Sequence, residues 1–492
     1  MMTAITTSET LVLIHTVLTL SCALRVLYHQ KNHGVALAWL GILFVAPVVG
    51  LIAYLIIGEP KLGRTREKRK QEIVAFYSEF VAPSFQDLPT DLGLAPKWQS
   101  LAKLAHHSTG FQAISGHQCQ FLNDTDAMIA AMIDDINSAE RAVVLMFYII
   151  DPKGEVEKLL LALEQAVLRG VRCEILADGV GSAQFFSTAW CARLKKNGVL
   201  IHQSLAIGLL KAVLVRSDLR NHRKLLVVDE RVAYTGSYNL VDPKVFKQGA
   251  GVGQWVDVML RLQGPAVIQL LATFYADVAV ENKQHFADIQ VLWREHWPHV
   301  GSIALQAASS CSVLQTIPSS PDQSHYVFYD TLICALHQAE RELVLTTPYF
   351  VPDEALMLAL TTAARRGVSV TLIVPQKVDS FLVRYASQAY YRVLLQNGVK
   401  IALFTGGLLH TKSVVVDDEF ALFGTVNMDM RSFYLNLELT MALYSPTEIH
   451  ALALQQQAYL RDCVYIDAAR WQRRSVWRTL LENTVRLMSP LL

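Results

Sequence analysis

The sequence lacks an excess of either charge. Lys and Arg together number 44, and Asp and Glu together number 43, among 492 residues. Proteins whose main ligand is nucleic acid usually carry a basic surplus, so this balance disfavours that class. Charged residues are also scarce at 18% of the chain, whereas 52% of the residues are hydrophobic. The composition is apolar for a soluble enzyme and points toward a membrane.

Cysteines with metal-binding or redox spacing are also missing. The seven cysteines are an odd number, and no two of them form a Cys-x-x-Cys motif. A disulfide framework and a structural zinc site are therefore both disfavoured, and reduced thiols in a cytosolic compartment are the simplest interpretation. The one adjacent histidine pair, His106 and His107, has no carboxylate cluster near it. The sequence predicts no metal site and no cofactor.

Charge is absent from one long run near the start of the sequence. Residues 35–57 read VALAWLGILFVAPVVGLIAYLII, which is 23 residues without Asp, Glu, Lys or Arg. A helix of that length crosses a hydrocarbon core of about 30 Å, and few buried core helices are so uniformly apolar. Residues 11–28 are a weaker candidate, and the absence of an early basic segment disfavours a cleaved signal peptide. We expect a membrane hairpin over residues 1–60, with helices at about 9–28 and 36–57.

Basic residues set the expected orientation of this hairpin. Arg25 and Lys31 lie around the loop between the two predicted helices, and no Lys or Arg precedes the first. Six basic residues follow the second helix closely, namely Lys61, Arg64, Arg66, Lys68, Arg69 and Lys70. Because Lys and Arg accumulate on the cytoplasmic side, the pattern predicts a multi-pass membrane protein with the long remainder of the chain in the cytoplasm.

The remainder of the chain contains an internal repeat. SAERAVVLMFYI at 138–149 matches QAERELVLTTPYF at 338–350, and KNGVLIH at 196–202 matches QNGVKIA at 396–402. In each copy, β-rich runs alternate with amphipathic helices, which is typical of α/β layers. We expect an α/β fold with two tandem domains, the first copy at residues 111–300 and the second copy at 301–492, after a basic linker at 61–110.

Each copy carries the motif His-x-Lys-x₄-Asp-x₆-Gly-(Ser/Thr)-x-Asn. The motif residues are His222, Lys224, Asp229, Ser237 and Asn239 in the first copy, and His410, Lys412, Asp417, Thr425 and Asn427 in the second. The His and the Lys are two residues apart, so on a strand they point to the same face. One His-x-Lys-x₄-Asp is a weak signal, but two copies with equal spacing inside a longer repeat are a strong one. The alternative is a pair of structural histidines in a duplicated scaffold.

These residue types suit chemistry on a phosphodiester. Its phosphorus is poorly electrophilic and its oxygens are anionic, so it requires cations and donors such as Lys, Asn, Ser and Thr. It also requires a nucleophile and a proton donor for the leaving alkoxide, and imidazole serves as either near neutral pH. One motif supplies one imidazole and the reaction needs two, so we expect the copies to face each other about a pseudo-twofold axis.

Both motifs resemble the paired signature of the phospholipase D superfamily. Longer stretches, including AWLGILFVAPVVGLIAYLIIGE, VFKQGAGVGQW and GTVNMDMRS, are similar to the bacterial cardiolipin synthases of that superfamily over nearly the whole chain. The resemblance implies two phospholipase D-like domains, with mixed sheets flanked by helices, in an inner-membrane protein. It also implies a metal-free, two-step transfer between two phosphatidylglycerol molecules, which gives cardiolipin and glycerol through a phosphatidyl-histidine intermediate.

The resemblance also implies roles for individual residues. By analogy His222 is the nucleophile and His410 the acid and base, but the near-symmetry of the motifs leaves that assignment open. The implied phosphate-binding residues are Lys224, Lys412, Ser237, Asn239, Thr425 and Asn427. Asp229 and Asp417 belong to the signature, and their offset from each His predicts a supporting role. Asp257 and Glu438 resemble the carboxylates that orient each imidazole, the alternative being ordinary surface or strand charges.

Two further segments are apolar enough to meet a membrane surface. LAIGLLKAVLV at 205–215 lies in an insertion that the second copy lacks, and it predicts either an interfacial segment or a core element. The segment 469–492 places Trp477, Leu480 and Leu481 at helical spacing among several Arg. It predicts an amphipathic helix that lies on an anionic membrane surface or packs on its own domain.

Two rival functions stay open. A phospholipase D-type hydrolase that releases phosphatidic acid differs from a transferase in its acceptor, which the motifs do not encode. An inactive membrane scaffold is opposed by the intact residues of both motifs. A nuclease is disfavoured by the charge balance and by the predicted membrane hairpin.

Overall fold

The structure, a computed structural model, describes most of the chain. The described residues are 7–29, 33–59, 64–77, 79, 82–85, 91–206, 216, 218–282, 287, 290, 312–321 and 326–487. The chain forms two compact units, one of residues 1–67 with 207–219, and one of residues 68–206 with 220–492. Of the predicted interfacial segment 205–215, residues 207–215 lie outside the described residues.

Three apolar helices lie in the first unit, namely α1 (Thr7–His29), α2 (His33–Val45) and α3 (Pro47–Ile57). Among the described residues, α1 is the one helix long and apolar enough to cross a membrane, over Val12–His29. The sequence predicts one helix over 36–57, but the structure divides this run at Ala46, whose φ is −136° and ψ is 70°. Pro47 explains the break, because the ring of a proline disfavours helical geometry in the residue before it.

Two helices occupy the predicted linker 61–110, namely α4 (Arg64–Phe76) and α5 (Pro96–Thr109). The α5 helix buries Trp98, Leu101 and Ala105, which share one helical face, in a cluster formed mainly by the second copy. Trp98 stacks on Phe420 with ring centroids 4.9 Å apart. The residues of α5 are therefore part of the second copy's core rather than a simple connector.

Strands and helices alternate in the first copy. Its strands are β1 (Ile114–Leu122), β2 (Ala142–Phe147), β3 (Arg172–Asp178), β4 (Leu200–Ser204), β5 (Arg220–Asn221), β6 (Leu225–Val228), β7 (Val232–Gly236), β8 (Trp255–Val256) and β9 (Met259–Gln263). Its helices are α6 (Thr125–Asn137), α7 (Glu155–Leu168), α8 (Ala183–Phe186), α9 (Ala189–Lys196) and α10 (Ala266–Glu281).

The second copy repeats this alternation. Its strands are β10 (Ser312–Ser319), β11 (Glu342–Thr346), β12 (Phe350–Val351), β13 (Ser369–Pro375), β14 (Lys400–Phe404), β15 (Leu408–Leu409), β16 (Ser413–Val416), β17 (Phe420–Gly424), β18 (Met428–Asp429), β19 (Asn436–Leu443) and β20 (Cys463–Tyr465). Its helices are α11 (Val327–Gln338), α12 (Glu354–Arg365), α13 (Phe381–Gln396), α14 (Met430–Tyr434), α15 (Pro446–Arg461), α16 (Ala468–Gln472) and α17 (Val476–Arg486).

Both copies contribute to one sheet of 16 strands. Its order is β20-β14-β13-β11-β16-β17-β19-β10-β1-β9-β7-β6-β2-β3-β4, and β5 pairs with β19 off this path. Read outward from the antiparallel contact between β1 and β10, the order β1-β9-β7-β6-β2-β3-β4 corresponds strand by strand to β10-β19-β17-β16-β11-β13-β14. The two copies are thus related by a pseudo-twofold axis at the centre of the sheet, and the predicted fold class is confirmed.

Helices cover both faces of the sheet. Along β6, Leu226 and Val228 join a buried cluster that includes α6 and α7, whereas Leu225 and Val227 join a second cluster that includes α10. Successive strand residues point to opposite faces, so β6 is apolar on both. Parallel pairing of β2 with β3 and antiparallel pairing of β2 with β6 make the sheet mixed.

Candidate active site

The first motif begins where β5 ends. His222 follows β5, and its N–H donates to the carbonyl of Leu437 in β19 at 2.9 Å, which continues the parallel pairing of the two strands. The imidazole is buried, and its Nδ1 lies 2.9 Å from Oε2 of Glu438. An ionised carboxylate can only accept hydrogen bonds, so Nδ1 carries the proton and the lone pair of the neutral ring is on Nε2.

The second motif repeats this construction. His410 follows β15, which pairs in parallel with β8, and its N–H donates to the carbonyl of Val256 at 2.8 Å. Its buried imidazole places Nδ1 at 2.7 Å from Oδ1 of Asp257. Both rings therefore have the same tautomer, with Nε2 left for chemistry.

Each imidazole is oriented by a carboxylate from the opposite copy. Glu438 lies in β19 of the second copy and faces His222, whereas Asp257 follows β8 of the first copy and faces His410. Thr425 Oγ1 donates to the same Glu438 oxygen at 2.5 Å, and the Ser237 side chain helps to lower the pKa of Asp257. The two motifs are thus linked by two crossed histidine–carboxylate contacts.

The two motif lysines are fully enclosed. Lys224 Nζ donates to the carbonyl of His222 at 2.7 Å, and Lys412 Nζ donates to the carbonyl of His410 at 2.5 Å. Both ammonium groups are nearly inaccessible to solvent. Each lysine therefore fixes the backbone of its own histidine while its positive charge stays inside the site.

The two motif asparagines are buried but held differently. Asn239 Oδ1 accepts a hydrogen bond from the N–H of Ile149 at 3.2 Å. In the part of the chain that the structure describes, the buried Oδ1 of Asn427 has no hydrogen-bond partner. A buried amide oxygen without a donor is costly, so Oδ1 of Asn427 is suited to accept a hydrogen bond from a donor such as the hydroxyl of an alcohol.

Asp229 and Asp417 do not contact the imidazoles. Each follows the strand that leads away from its motif lysine, and seven residues of extended chain at 3.3 Å per residue separate it from the histidine by about 23 Å. Asp229 accepts from the N–H groups of Glu140, Arg141 and Ala142 at 2.8 to 2.9 Å. Asp417 accepts from those of Glu340, Arg341 and Glu342 at 2.7 to 2.8 Å. These two aspartates fasten a turn to the start of β2 or β11, which is a supporting position.

Known protein families match the two copies of the repeat separately. The protein family described as "Cardiolipin synthase, PLD-like domain" matches residues 132–274 and 332–459. The chain belongs to this family. The family "Phospholipase_D-nuclease N-terminal" matches residues 17–59. The predicted membership of the phospholipase D superfamily is thereby confirmed.

Relatives within the cardiolipin synthase family align with almost the entire chain. "Cardiolipin synthase A" of Klebsiella pneumoniae (strain 342) is 38% identical over 474 residues, which cover 95% of each chain. "Cardiolipin synthase A" of Salmonella arizonae is 38% identical over 480 residues, covering 97% of this chain and 96% of the relative. The crystal structure of phosphatidylserine synthase from Haemophilus influenzae Rd KW20 matches 80% of this chain and 100% of its own, with a TM-score of 0.56. That structure is 13% identical in sequence, so the likeness concerns the fold.

Burial dominates the protonation of this cardiolipin synthase family site. Desolvation lowers the pKa of both His222 and His410 to about 4, although the facing carboxylates oppose it. Desolvation also lowers the pKa of Lys224 to about 8 and that of Lys412 well below its ordinary value. Burial disfavours ionised Asp257 and Glu438, but the facing imidazoles and the lysines outweigh it and lower the pKa of both carboxyl groups.

The charges of the two motifs act on each other. The ammonium of Lys412 lowers the pKa of His222, and that of Lys224 lowers the pKa of His410. Such cross effects require the charged groups of both copies to lie in one poorly solvated space. At neutral pH these shifts favour ionised carboxylates at Asp257 and Glu438 and neutral imidazoles at His222 and His410.

Sequence reasoning missed two aromatic rings that pack on the imidazoles. Tyr148 meets His222 edge to face with ring centroids 4.9 Å apart, and Trp255 lies 4.4 Å from His410. The buried indole Nε1 of Trp255 has no hydrogen-bond partner among the described residues. Trp255 is the last residue of the stretch VFKQGAGVGQW, and Asp257 follows it by two residues. The position of Trp255 next to a candidate carboxylate was the signal in the sequence that could have identified it.

A buried arginine between His222 and Lys224 was also missed. Arg223 donates to the Asp277 carboxylate at 2.6 Å, to the Glu438 carbonyl at 2.9 Å and to the Ser319 carbonyl at 3.0 Å. It thereby fixes the strand that carries Glu438. The second motif has Thr411 at the equivalent position, so this brace belongs to the first motif alone.

Proposed function

We propose that the protein is a cardiolipin synthase that transfers a phosphatidyl group between two phosphatidylglycerol molecules, giving cardiolipin and glycerol. One observation supports the proposal: two buried imidazoles are each hydrogen-bonded to a carboxylate of the opposite copy, and the charges of both buried lysines lower the pKa of each imidazole. The relatives named cardiolipin synthase A, which align with 95% or more of the chain, support the choice of reaction.

In the first step, Nε2 of one histidine attacks the phosphorus of phosphatidylglycerol. A P–N bond forms, the P–O bond to glycerol breaks, and the other histidine gives the Nε2 proton to the leaving alkoxide. We assign the attack to His222 and the proton transfer to His410 by analogy with the family. Lys224 and Lys412 stabilise the negative charge on the non-bridging oxygens, with Asn239, Asn427 and the Trp255 indole N–H as donors.

The second step reverses the first with a different alcohol. His410, now neutral, takes the proton from the terminal hydroxyl of a second phosphatidylglycerol. The alkoxide attacks phosphorus, and the P–N bond to His222 breaks to release cardiolipin. One phosphate ester replaces another, so the reaction needs neither an oxidant nor an external energy source. Glu438 and Asp257 stabilise each imidazolium as it forms, because each carboxylate faces Nδ1.

Substrate binding favours uptake of the acidic proton from solvent. The first step needs one protonated imidazole, yet burial lowers the pKa of both histidines to about 4. A phosphodiester anion placed between the two ammonium groups offsets their charge, which favours an imidazolium. Binding of the lipid headgroup and uptake of a proton are therefore coupled.

The first unit and the last helix support a location at the membrane. We propose that α1 anchors the protein in a bacterial inner membrane with the catalytic copies in the cytoplasm, since the basic residues follow the apolar segments. The catalytic copies lie in the cytoplasm whether the chain crosses the membrane twice, as the sequence predicts, or once, at α1. On α17, Trp477 is 81% exposed beside Val476 and Leu480, which suits contact with an anionic lipid surface.

The test is a transfer assay with purified protein and phosphatidylglycerol labelled in its phosphate. Intact protein should form labelled cardiolipin and free glycerol, and His222→Ala and His410→Ala should each abolish both products. His106→Ala is the matched control, because His106 is exposed on α5 away from the motifs. Phosphatidic acid as the sole product of the intact enzyme would overturn the transferase in favour of a hydrolase. Normal turnover by either motif variant would overturn the two-histidine mechanism.

A further inference from the structure

An ion pair joins the end of α1 to the residue that follows α3. Arg25 donates through Nε to Glu59 Oε1 at 2.6 Å and through Nη2 to Oε2 at 3.0 Å. The hydroxyl of Tyr54 donates to the same carboxylate at 2.9 Å. Such two-pronged pairing of Arg with a carboxylate is strong and geometrically specific. Because Arg25 lies in the last turns of α1, Glu59 is located at that end of α1.

The segment between these residues reverses direction at Ala46. The rings of Trp39 and Tyr54 pack edge to face with centroids 5.2 Å apart, whereas one continuous helix would separate the two residues by about 22 Å. A Cβ added at Gly50 would lie 3.0 Å from the Ile42 carbonyl oxygen and 3.1 Å from the Leu43 Cα. Contacts at these paired positions show that α2 and α3 run antiparallel, side by side.

Neither helix of this hairpin is long enough to cross a bilayer. The 13 residues of α2 and the 11 residues of α3 extend about 20 Å and about 16 Å at 1.5 Å per residue. The hydrocarbon core is about 30 Å thick. In contrast, the 23 residues of α1 extend about 35 Å, which is sufficient.

The turn of the hairpin is suited to a lipid environment. Phe44 and Val45 at the end of α2 are 87% and 81% exposed, and Val48 and Val49 at the start of α3 are 58% and 66% exposed. Both backbone polar groups of Ala46 are paired, because its N–H donates to the Ile42 carbonyl at 2.9 Å and its carbonyl accepts from the Gly50 N–H at 2.7 Å. Pro47 has no N–H to satisfy. Irregular backbone is tolerated at membrane depth where neighbouring helices cover it, and α2 and α3 pack against each other next to this turn.

We propose that residues 33–59 form a re-entrant hairpin that enters the cytoplasmic leaflet and returns to the cytoplasm, so that the chain crosses the membrane once, at α1. The partner of the exposed apolar tip is the acyl chains of that leaflet. This topology places Arg25 and Lys31 on the same side as the six basic residues that follow Ile57, and it leaves no Lys or Arg on the other side. The positive-inside bias is stronger for one crossing than for two, which would leave Arg25 and Lys31 outside.

Labelling of introduced cysteines distinguishes the two topologies. Thr3→Cys, Asn32→Cys and Lys103→Cys are each expressed in bacterial cells, converted to intact spheroplasts and treated with a membrane-impermeant maleimide. One crossing exposes position 3 to the outside, so Thr3→Cys should be labelled in intact spheroplasts, and Asn32→Cys only after lysis. Lys103, exposed on the cytoplasmic catalytic unit, is the control for intactness, and the unsubstituted chain is the control for native cysteines.

Each other labelling pattern contradicts the re-entrant hairpin. Two crossings would expose Asn32→Cys and protect Thr3→Cys, and labelling of both or of neither is equally incompatible with one crossing at α1. These readouts need no enzymatic activity, so they are independent of the proposed reaction.

A charge exchange gives a second readout. Arg25→Glu should reduce the amount of membrane-inserted protein, because it places two carboxylates together, and Arg25→Glu with Glu59→Arg should restore it. Failure of the second substitution to restore insertion would overturn the pairing, because residues at opposite faces of a bilayer cannot compensate for each other.

Discussion

The Nδ1 atom of His222 lies 2.9 Å from Oε2 of Glu438, although the two residues are 216 positions apart and belong to different copies of the repeat. His410 and Asp257 have the reciprocal relation at 2.7 Å. The catalytic groups are therefore divided between the copies in a crossed manner, and neither copy contains a complete histidine–carboxylate pair. Substitution of the carboxylate in one copy should therefore impair the histidine of the other copy.

Replacing either carboxylate by its amide should reduce kcat strongly. In Glu438→Gln, the side-chain amide can donate a hydrogen bond to Nδ1, which moves the ring proton to Nε2 and blocks nucleophilic attack. We expect kcat to fall about 100- to 10,000-fold for Glu438→Gln and for Asp257→Asn, with KM little changed. Steady-state kinetics on phosphatidylglycerol vesicles measures both constants.

The control for this pair is Glu448→Gln. Glu448 is a buried glutamate of the second copy that accepts from the Ser312 hydroxyl at 2.6 Å, outside the site. It should retain nearly normal kcat. An equal loss in Glu448→Gln would indicate that any buried carboxylate in this copy matters for folding, and would remove the case for tautomer control.

Removing one buried cation should move the pH profile to higher pH. The reaction needs one neutral and one protonated imidazole, so kcat/KM is centred on the pKa values of the histidine pair. The Lys412 ammonium lowers the pKa of His222 and of its own His410. Its loss in Lys412→Met therefore raises those pKa values, and the whole profile should shift upward in pH as activity decreases. An unchanged or downward-shifted profile would contradict the electrostatic coupling between copies.

Lys244→Met is the matched control for the cation. Lys244 is an exposed lysine of the first copy that bonds the Asp126 carboxylate at 2.7 to 2.8 Å, away from both histidines. Its removal should leave both the position of the pH profile and its height unchanged.

The indole N–H of Trp255 should contribute to phosphate binding. Trp255→Phe preserves an aromatic ring against His410 but deletes a buried donor that has no partner among the described residues. One hydrogen bond to a charged phosphate contributes about 1.5 to 3 kcal/mol, so we expect kcat/KM to fall about 10- to 100-fold. Tyr148→Phe, which retains the ring on His222, is the comparison. Unaltered kcat/KM in Trp255→Phe would show that the indole acts by packing alone.

Asp229 should affect stability rather than chemistry. Asp229→Ala leaves three backbone N–H groups at the start of β2 without their acceptor, which should destabilise the fold by about 2 to 5 kcal/mol. The melting temperature in detergent should fall, while the folded fraction retains near-normal KM and kcat. Asp229→Asn, which keeps one acceptor oxygen, should be milder. A large loss of kcat without a loss of stability would instead give Asp229 a direct catalytic role.

Much of the site could be anticipated from local sequence. The first motif lies within one hairpin, so the spacing of its residues, His222, Lys224, Ser237 and Asn239, is a short-range property. Duplication of the domain repeats the same spacing at residues 410 to 427. The offset of Asp229 from His222 indicated a supporting position because strand geometry carries it away from the imidazole. Alternation of strands and helices likewise sufficed for the α/β fold.

Long-range relations could not be anticipated in the same way. Glu438 and Asp257 were recognisable as candidate carboxylates, but their crossed pairing depends on how β5 meets β19 and β8 meets β15. The docking of Trp98 on Phe420 depends on tertiary contact in the same manner, so α5 was predicted as part of a linker. Pro47 was a local signal for the break at Ala46. Hydropathy over 36–57 shows only that the run is apolar, and it does not show whether the chain reverses direction within it.

The seam between β1 and β10 has a consequence for how such an enzyme could arise. Each histidine pairs with a carboxylate of the other copy, so a single copy expressed alone would be inactive until it formed a dimer. Its activity would then rise with the square of the protein concentration at low abundance. Covalent linkage of the two copies along one continuous sheet makes the encounter intramolecular, so even a protein of low abundance assembles both histidine–carboxylate pairs every time it folds.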